Sequence, residues 1–399
     1  MRILHTSDWH LGRTFHGVGL LDDQRYALAR LAEVVAAESV DVVIVAGDVY
    51  DRSVPSADAV QVYDTALAAI AAAGAQIVVT SGNHDSPARL GVGSHFAAAG
   101  GLHLRTTIAG IDRPVLVSDE FGELAIYGVP YLEPETARTE LGVPDASGHA
   151  EVLSAAMDRV RADITGRGVR SVVVAHAFVV GALACGSERS ISVGGVETVG
   201  AEVFSGIDYV ALGHLHSPQV ITEQVRYSGS LLPYSFGERS DRKAAWLIDF
   251  DAAGVSEIRS CELPRVRGLS TLCGVLDDLL VDDAYADLTD DYIEATLIDP
   301  VRPLDAMRRL RERFPYAVHL TWQRPEVDGG IDYRARVHGR SDAEIITSFI
   351  TDMRDAPTAR ERELLGSALR AVVGEPEAET AGVVGELTLF DMPAPAESA

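Results

Sequence analysis

Five short polar clusters lie between Asp8 and His216, and each follows a run that reads as a β-strand. The clusters are Asp8-Trp9-His10, Gly47-Asp48, Gly82-Asn83-His84-Asp85, His176 and Gly213-His214-Leu215-His216. The runs before them are Arg2–Ser7, Asp41–Ala46, Gln76–Ser81, Ser171–Ala175 and Tyr209–Leu212. Open α/β sheets bind ligands just beyond the carboxyl ends of their strands. Five strand ends carrying Asp, His or Asn therefore call for a fold that gathers them at one site. Helix patterns lie between the early runs. Asp22–Ser39 places Leu28, Leu31, Val34 and Val35 at helical spacing. Ser56–Ala73 has Ser56 as a natural N-cap and Gly74 as a stop. Asp41–Ala46 is almost continuously apolar, as a strand covered on both faces requires. Further strand patterns lie at Glu123–Val129, Arg226–Ser228 and Ala244–Phe250. This order predicts an α/β fold, a mixed sheet flanked by helices.

The clusters share a chemistry. Carboxylate, imidazole and amide oxygen suit borderline-to-hard divalent ions such as manganese, and no cluster offers a thiolate. Magnesium and iron fit the same ligands. Asp8 and His10 are two positions apart, as are His214 and His216, so on a regular strand each pair would share a face. Asp8, His10, Asp48, Asn83, His176, His214 and His216 are too many ligands for one such ion and suit two. Two ions roughly 3.5–4 Å apart can clamp a phosphodiester and stabilise both the attacking and the leaving oxygen. One carboxylate has to bridge them. Asp48, behind Gly47 at the end of the central apolar strand, is the expected bridge. Taken singly, each cluster has an ordinary reading: a turn, a core histidine, a single-metal site. Their recurrence behind five strand patterns is what makes them one site.

The rest of the chain sets limits. At 399 residues it exceeds one ordinary domain. After Leu263 the texture changes. Leu276–Asp291 is rich in Asp and Leu, followed by a strand pattern at Tyr292–Ile298, a helix pattern at Pro303–Phe314 and a strand pattern at Ala317–Gln323. Helix patterns follow at Asp342–Met353 and Ala359–Val373. The expected division is a site-bearing domain over 1–263, a small α+β domain over 264–341, a helical region over 342–373 and a disordered tail over 374–399. No run reaches the roughly eighteen apolar residues of a transmembrane helix. The first residues lack the pattern of a secretory signal. Cys185, Cys261 and Cys273 fit neither a disulfide framework nor a zinc site. A cytoplasmic protein is expected. The formal net charge of −25 argues against a chain that gathers nucleic acid by its own field. Any DNA binding would be local, through bound ions, scattered arginines or a partner.

On these motifs the sequence resembles the calcineurin-like metallophosphoesterase superfamily, which includes protein phosphatases, cyclic nucleotide phosphodiesterases and nucleases. Within it, the local text is most similar to the SbcD family of nuclease subunits. The similar stretches are His5–Gly12, Gly47–Asp51 with Pro55-Ser56, Ser187–Ser190 with Val193–Gly195, Tyr209–His216 and Tyr227–Ser230. The likeness is strong over residues 1–250, and later it holds in position and size only. It implies a mixed-sheet sandwich flanked by helices, a small α+β capping domain and a C-terminal partner-binding region. It implies that Asp8, His10 and His216 hold one ion, that Asn83, His176 and His214 hold the other, and that Asp48 bridges. His84 would contact the scissile phosphate and protonate the leaving oxygen, with Asp85 fixing its orientation. Arg13, Arg52 and Arg89 flank the motifs and are candidate contacts to substrate phosphates. Related archaeal and eukaryotic nucleases carry a histidine shortly after the bridging aspartate. This chain has Tyr50-Asp51-Arg52 there, and bacterial members commonly have Asp.

The implied activity is manganese-dependent hydrolysis of DNA phosphodiester bonds in repair and recombination. It would run 3′→5′ on double-stranded ends and endonucleolytically on single strands and hairpins. The implied partners are DNA and an SbcC-type coiled-coil ATPase, with a homodimer of this chain inside a heterotetramer and no membrane. The chain has no Walker A motif, so any ATP dependence would come from that partner. Ile345, Ile346, Phe349, Ile350 and Met353 either face the ATPase or pack on their own domain. Two other readings remain open. A metallophosphatase or small-molecule phosphodiesterase with the same dimetal site fits the acidity better. A scaffold that holds the ATPase on DNA is the other, and it would not need an intact ligand set.

Overall fold

The computed structural model describes residues 1–179, 199–323 and 337–373. Cys185, the Ser187–Gly195 stretch and the 374–399 tail lie outside them. The chain divides into two compact units, one of Met1–Leu297 with Asp305–Thr321, the other of Ile298–Leu304 with Trp322 onward.

Two six-stranded sheets lie in the first unit. One runs, edge to edge, Gly254–Glu262, Ala244–Asp251, Arg2–Thr6, Val42–Ala46, Gln76–Thr80 and Leu102–Arg105. Its last four strands are parallel. The other runs Gln219–Val220, Val225–Tyr227, Tyr209–Gly213, Arg170–His176, Gly122–Val129 and Val115–Asp119. Here the four strands from Val225–Tyr227 to Gly122–Val129 are parallel.

Strand alternation decides what each side chain covers. Ile3, Val42, Ile44, Ala46 and Val78 of the first sheet join Leu124, Ile126, Val172, Val174, Tyr209 and Ala211 of the second in a shared layer. Leu4, Val43, Val45 and Val79 turn the other way, onto the helices Leu21–Ala37 and Ala57–Ala72. Val42–Ala46 is therefore buried on both faces, as its unbroken apolar run anticipates. Each such side chain stabilises the fold by about 1.5–3 kcal/mol on burial. Helices Pro134–Leu141 and His149–Arg167 cover the second sheet through Ala137, Val152, Leu153, Ala156, Met157 and Val160. Ser56 caps its helix as expected, its Oγ accepting from the Ala59 N–H at 3.2 Å. Gly74 ends that helix with φ +99°.

His5 sits in the first motif but serves the sandwich. Its Nε2 donates to the Leu212 carbonyl at 3.1 Å, and its Nδ1 accepts from the Tyr209 hydroxyl at 2.9 Å. Burial pushes its pKa down to about 3, so it crosses the layer as a neutral ring.

The segment expected as one α+β domain is divided between the units. Leu269–Gly274, Tyr292–Leu297 and Ala317–Trp322 form a three-stranded sheet that belongs to the first unit as far as Thr321. Short helices at Leu276–Val281 and Ala306–Arg313 accompany it, with Leu276, Leu279, Ile293, Leu297, Leu310 and Phe314 buried. The described part of the second unit is mainly two helices, Asp342–Met353 and Ala359–Val373. Ser341 and Glu344 form a capping box at the first. Its Phe349 and Met353 are exposed, and Ile345, Ile346 and Ile350 are half-buried. No described helix is long and apolar enough to cross a membrane.

Candidate metal centre

Each expected ligand follows, or ends, a strand of the two sheets. Asp8 and His10 lie beyond Arg2–Thr6, Asp48 beyond Val42–Ala46, and Asn83 beyond Gln76–Thr80. His176 ends Arg170–His176, and His214 and His216 lie beyond Tyr209–Gly213. The chain leaves the strands abruptly. Asp8, His10 and Asp48 have φ of 51°, 45° and 49°, and His214 has 109°. Such a backbone costs on the order of 1–3 kcal/mol per non-glycine residue and persists where the surroundings over-determine it. Asp8 and His10 therefore do not share a strand face, as they would on a regular strand. The strand ends at Thr6, and two left-handed residues, not pleat alternation, aim both side chains into the site. Glycines allow the approach. A Cβ on Gly47 would lie 2.4 Å from His176 Nδ1, and one on Gly82 would lie 2.1 Å from Asp48 Oδ1.

Asp48 stands between two ligand groups. Its Oδ2 is 3.5 Å from His10 Nε2 and 3.4 Å from His176 Nε2. Its Oδ1 accepts from the His84 N–H at 2.9 Å. On one side Asp8, His10 and His216 bring ligand atoms within 4.8 Å of one another. His10 Nε2 and His216 Nε2 approach to 3.0 Å. At that spacing either one donates to the other or both lone pairs turn onto a common cation. On the other side His176 Nε2 lies 3.0 Å from Asn83 Oδ1, and the His214 ring is 5.3 Å from the His176 ring. Asp8 also reaches this side, forming a group with Asp48 and His176. The backbone N–H of His214 donates to the Asp8 carboxylate at 3.0 and 3.1 Å.

The donor set can be tested against a divalent ion. His176 Nδ1 donates to the Ala46 carbonyl at 3.0 Å, which leaves Nε2 as the ring atom that would ligate an ion. That atom faces Asn83 Oδ1 and Asp48 Oδ2, so three acceptors converge on a point that requires positive charge. The electrostatics agree. Burial alone would lower His176, but Asp48 and Asp8 outweigh it and lift its pKa to about 9. Burial alone would raise Asp48, but His176 and His10 hold it well below its ordinary value. Burial, with Asp48 adding to it, pushes Asp8 up to about 8. Burial keeps His10 neutral despite Asp48. The pocket favours a proton only where a cation would otherwise stand, and the residues present fit a pair of divalent ions.

His84 is held by a partner the sequence did not suggest. Its Nδ1 donates to the Asp51 carbonyl at 2.8 Å, and its ring stands edge-on to His10 with centroids 4.6 Å apart. Asp85, expected to orient it, is engaged elsewhere. Its Oδ2 accepts from Gly82 and Val49 N–H at 2.9 and 3.1 Å, and its Oδ1 from Tyr50 N–H at 2.9 Å. Asp85 thus ties the 82–85 turn to the loop after Asp48. It shapes the bed of His84 and leaves the ring to Asp51. Burial, and Asp48 beside it, raise the Asp85 pKa to about 7.

The three arginines are placed differently. Arg13 comes closest to the centre: its guanidinium lies over the Tyr234 ring at 4.7 Å, and its Nη1 is 3.5 Å from Asp51 Oδ1. Arg52 is exposed, with its Nε 3.7 Å from Asp51 Oδ2. Arg89 is exposed and donates to the Ser53 carbonyl at 3.0 Å.

Two supporting residues were missed. Gln24 is fully buried. Its Nε2 donates to the Trp9 and His10 carbonyls at 3.0 and 2.8 Å, and its Oε1 accepts from the Gly12 N–H at 3.0 Å. Tyr234 stands edge-on to both His10 and His216, centroids 5.5 and 5.4 Å away, and its hydroxyl donates to the Trp9 carbonyl at 2.6 Å. A signal existed for Gln24. It is a lone polar residue on the stripe that carries Leu28, Leu31 and Val35. Nothing local marked Tyr234.

The family described as calcineurin-like phosphoesterase matches residues 1–218. The chain belongs to that family. Such enzymes hydrolyse phosphoester bonds, and the two ligand groups around Asp48 are this phosphoesterase's candidate dimetal-binding residues. Two solved structures are similar to it. One is TT1561 of Thermus thermophilus, at 13% identity and TM-score 0.40, covering 66% of this chain and 99% of that one. The other is a dimetal phosphatase from Danio rerio, at 14% identity and TM-score 0.40, covering 67% of this chain and 98% of that one.

Proposed function

We propose that this phosphoesterase is the nuclease subunit of an SbcCD-type complex, cutting DNA phosphodiester bonds with two manganese ions. The observation that carries the two-ion reading is the position of Asp48 Oδ2, within 3.5 Å of His10 Nε2 on one side and His176 Nε2 on the other. Asp8, His10 and His216 would hold one ion and Asn83, His176 and His214 the other. When bound, the pair would supply Lewis acidity to a phosphoryl oxygen and lower the pKa of a water near it. The chain's own residues do the rest. The Asp51 carbonyl holds the His84 Nδ1–H and so fixes the ring, leaving Nε2 to carry the proton that the leaving oxygen receives. Arg13, over the Tyr234 ring, offers a guanidinium to a substrate phosphate at the rim.

The DNA substrate is supported by the local text at His5–Gly12, Gly47–Asp51 and Tyr209–His216. A coiled-coil ATPase of the SbcC type is the proposed partner. It would supply the basic surface that a chain of net charge −25 lacks, docking at 342–373, where Phe349 and Met353 are exposed. The same charge favours a second reading, a metallophosphatase or small-molecule phosphodiesterase at the same site. The deciding experiment incubates the protein with blunt end-labelled duplex DNA and Mn2+, with and without the ATPase, beside His84→Ala. The nuclease reading expects cleavage that His84→Ala loses. Hydrolysis of a phosphomonoester with no DNA cut in any mixture would sink it.

A further inference from the structure

A buried ion pair lies behind the centre. Lys243 and Glu238 have side chains 6% and 0% exposed, and Lys243 Nζ donates to Glu238 Oε2 at 2.5 Å. All three ammonium protons have acceptors. The other two go to the His216 carbonyl at 2.8 Å and to Ser230 Oγ at 3.2 Å. The partner is as fully used. Glu238 Oε1 accepts from the Tyr234 N–H at 3.2 Å and from Ser235 Oγ at 3.0 Å. The cation therefore grips the backbone of one ligand, and the anion grips the residue whose ring stands against both His10 and His216. Ser230 closes the loop, its N–H donating to the same His216 carbonyl at 2.9 Å.

Two buried charges are a costly way to hold a loop, because desolvation offsets most of their attraction and an apolar pair of similar shape often does as well. Here each charge makes bonds that an apolar residue could not make, and both sets end on the same ligand group. We propose that Lys243 and Glu238 form a positioning device for the Asp8–His10–His216 half of the centre, setting the affinity of that half and not of the other. The inference rests on the dimetal reading and is independent of the substrate.

The test uses the full chain and Mn2+ alone. In Lys243→Met/Glu238→Gln both charges go together, so neither is left unpaired. Titration calorimetry should show one of two Mn2+ sites weakened about tenfold or more, the usual scale for outer partners of metal ligands, and the other unchanged. Paramagnetic resonance at two equivalents should show the wild type's spin-coupled pair replaced by an isolated-ion spectrum. Both sites unchanged, or both weakened alike, overturns the inference. A wild type that binds one ion overturns the dimetal reading and this inference with it. If the double variant does not fold, Lys243→Arg takes its place, since it keeps the charge but not the compact three-donor head. The same two measurements are made on it, and the same results support or overturn the inference.

Discussion

The two halves of the centre are built from different materials. The Asp8–His10–His216 half leans on side chains, with Gln24 under the 9–12 turn and Tyr234 against both imidazoles. The Asn83–His176–His214 half leans on bare backbone. His176 is set by the Ala46 carbonyl, and Gly47, Gly82 and Gly213 clear the space around it and Asp48. A half built on side chains can be weakened in small steps, one hydrogen bond at a time. A half built on backbone contact has no slack, because close-packed main chain does not retreat from an added methyl.

Asp48 belongs to both halves, and its loss should have the largest effect. Asp48→Ala is expected to abolish tight binding of both ions and to lower phosphoester hydrolysis on the order of 10³-fold or more, the scale of losing a preorganised charge in a closed site. Calorimetry with a chromogenic phosphoester assay measures both. Retention of one half at wild-type affinity would end its role as the bridge. Next comes the rigid half. In Gly47→Ala the new Cβ would lie 2.4 Å from His176 Nδ1 and 2.9 Å from the Gly82 nitrogen, on a backbone at φ +80°. A cost of about 3 kcal/mol is expected from the clash and the strained backbone together. Denaturant unfolding measures it, and a cost below about 1 kcal/mol would show that this half does yield.

The contrast also explains what the sequence could reveal. The seven candidate ligands stand out in the sequence because each is chemically unusual in a fixed local context, the end of a strand pattern. The first two helices and Val42–Ala46 were legible because burial on one or both faces writes a periodic apolar signal. Of the supports, Gln24 leaves a local trace as a polar residue on an apolar stripe, whereas Tyr234, Asp85 and Asp51 act through tertiary placement and leave none. The resemblance pairs Asp85 with His84, yet the turn sends its carboxylate back to Gly82, Val49 and Tyr50. Asp51 orients His84 through its carbonyl, an atom every residue has. Tyr234 reaches His10 from 224 positions away in sequence, as the registers of the first sheet bring Ala244–Asp251 beside Arg2–Thr6. The helix His149–Arg167 and the strand Gly254–Glu262 went unmarked. The strand's mixed burial on an edge leaves no clean alternation.

The side-chain half gives a smaller effect. Gln24→Leu keeps the bulk but strips the Gly12 N–H and the Trp9 and His10 carbonyls of a buried partner. The expected cost is about 1–3 kcal/mol in denaturant unfolding. Mn2+ affinity should fall at one site only. Equal loss at both would mean that the halves share their supports and that the comparison fails.

The gentlest test is pH on protein stripped of metal by a chelator, and it reads the halves one proton at a time. Asp8 and His176 are raised to about 8 and about 9 from ordinary values of 3.8 and 6.5. Each binds its proton more tightly folded than unfolded. Their contributions to stability are therefore full below 3.8 and 6.5 respectively, and are lost as pH rises through about 8 and about 9. The opposing groups are silent in that range. His5 and His10 are lowered, so their contribution is complete once pH passes 6.5, and that of Asp48 is complete above 3.8. Asp85, raised to about 7, adds its loss at the lower edge. The stripped chain should therefore lose Tm steadily from about pH 7 to 9. With Mn2+ bound, the cation replaces those protons and the slope should flatten. Asp8→Asn should remove the part of the fall near pH 8, and His176→Gln the part near pH 9. A stripped chain whose Tm is level across that range would show that the two halves do not hold their protons as their burial and charges require.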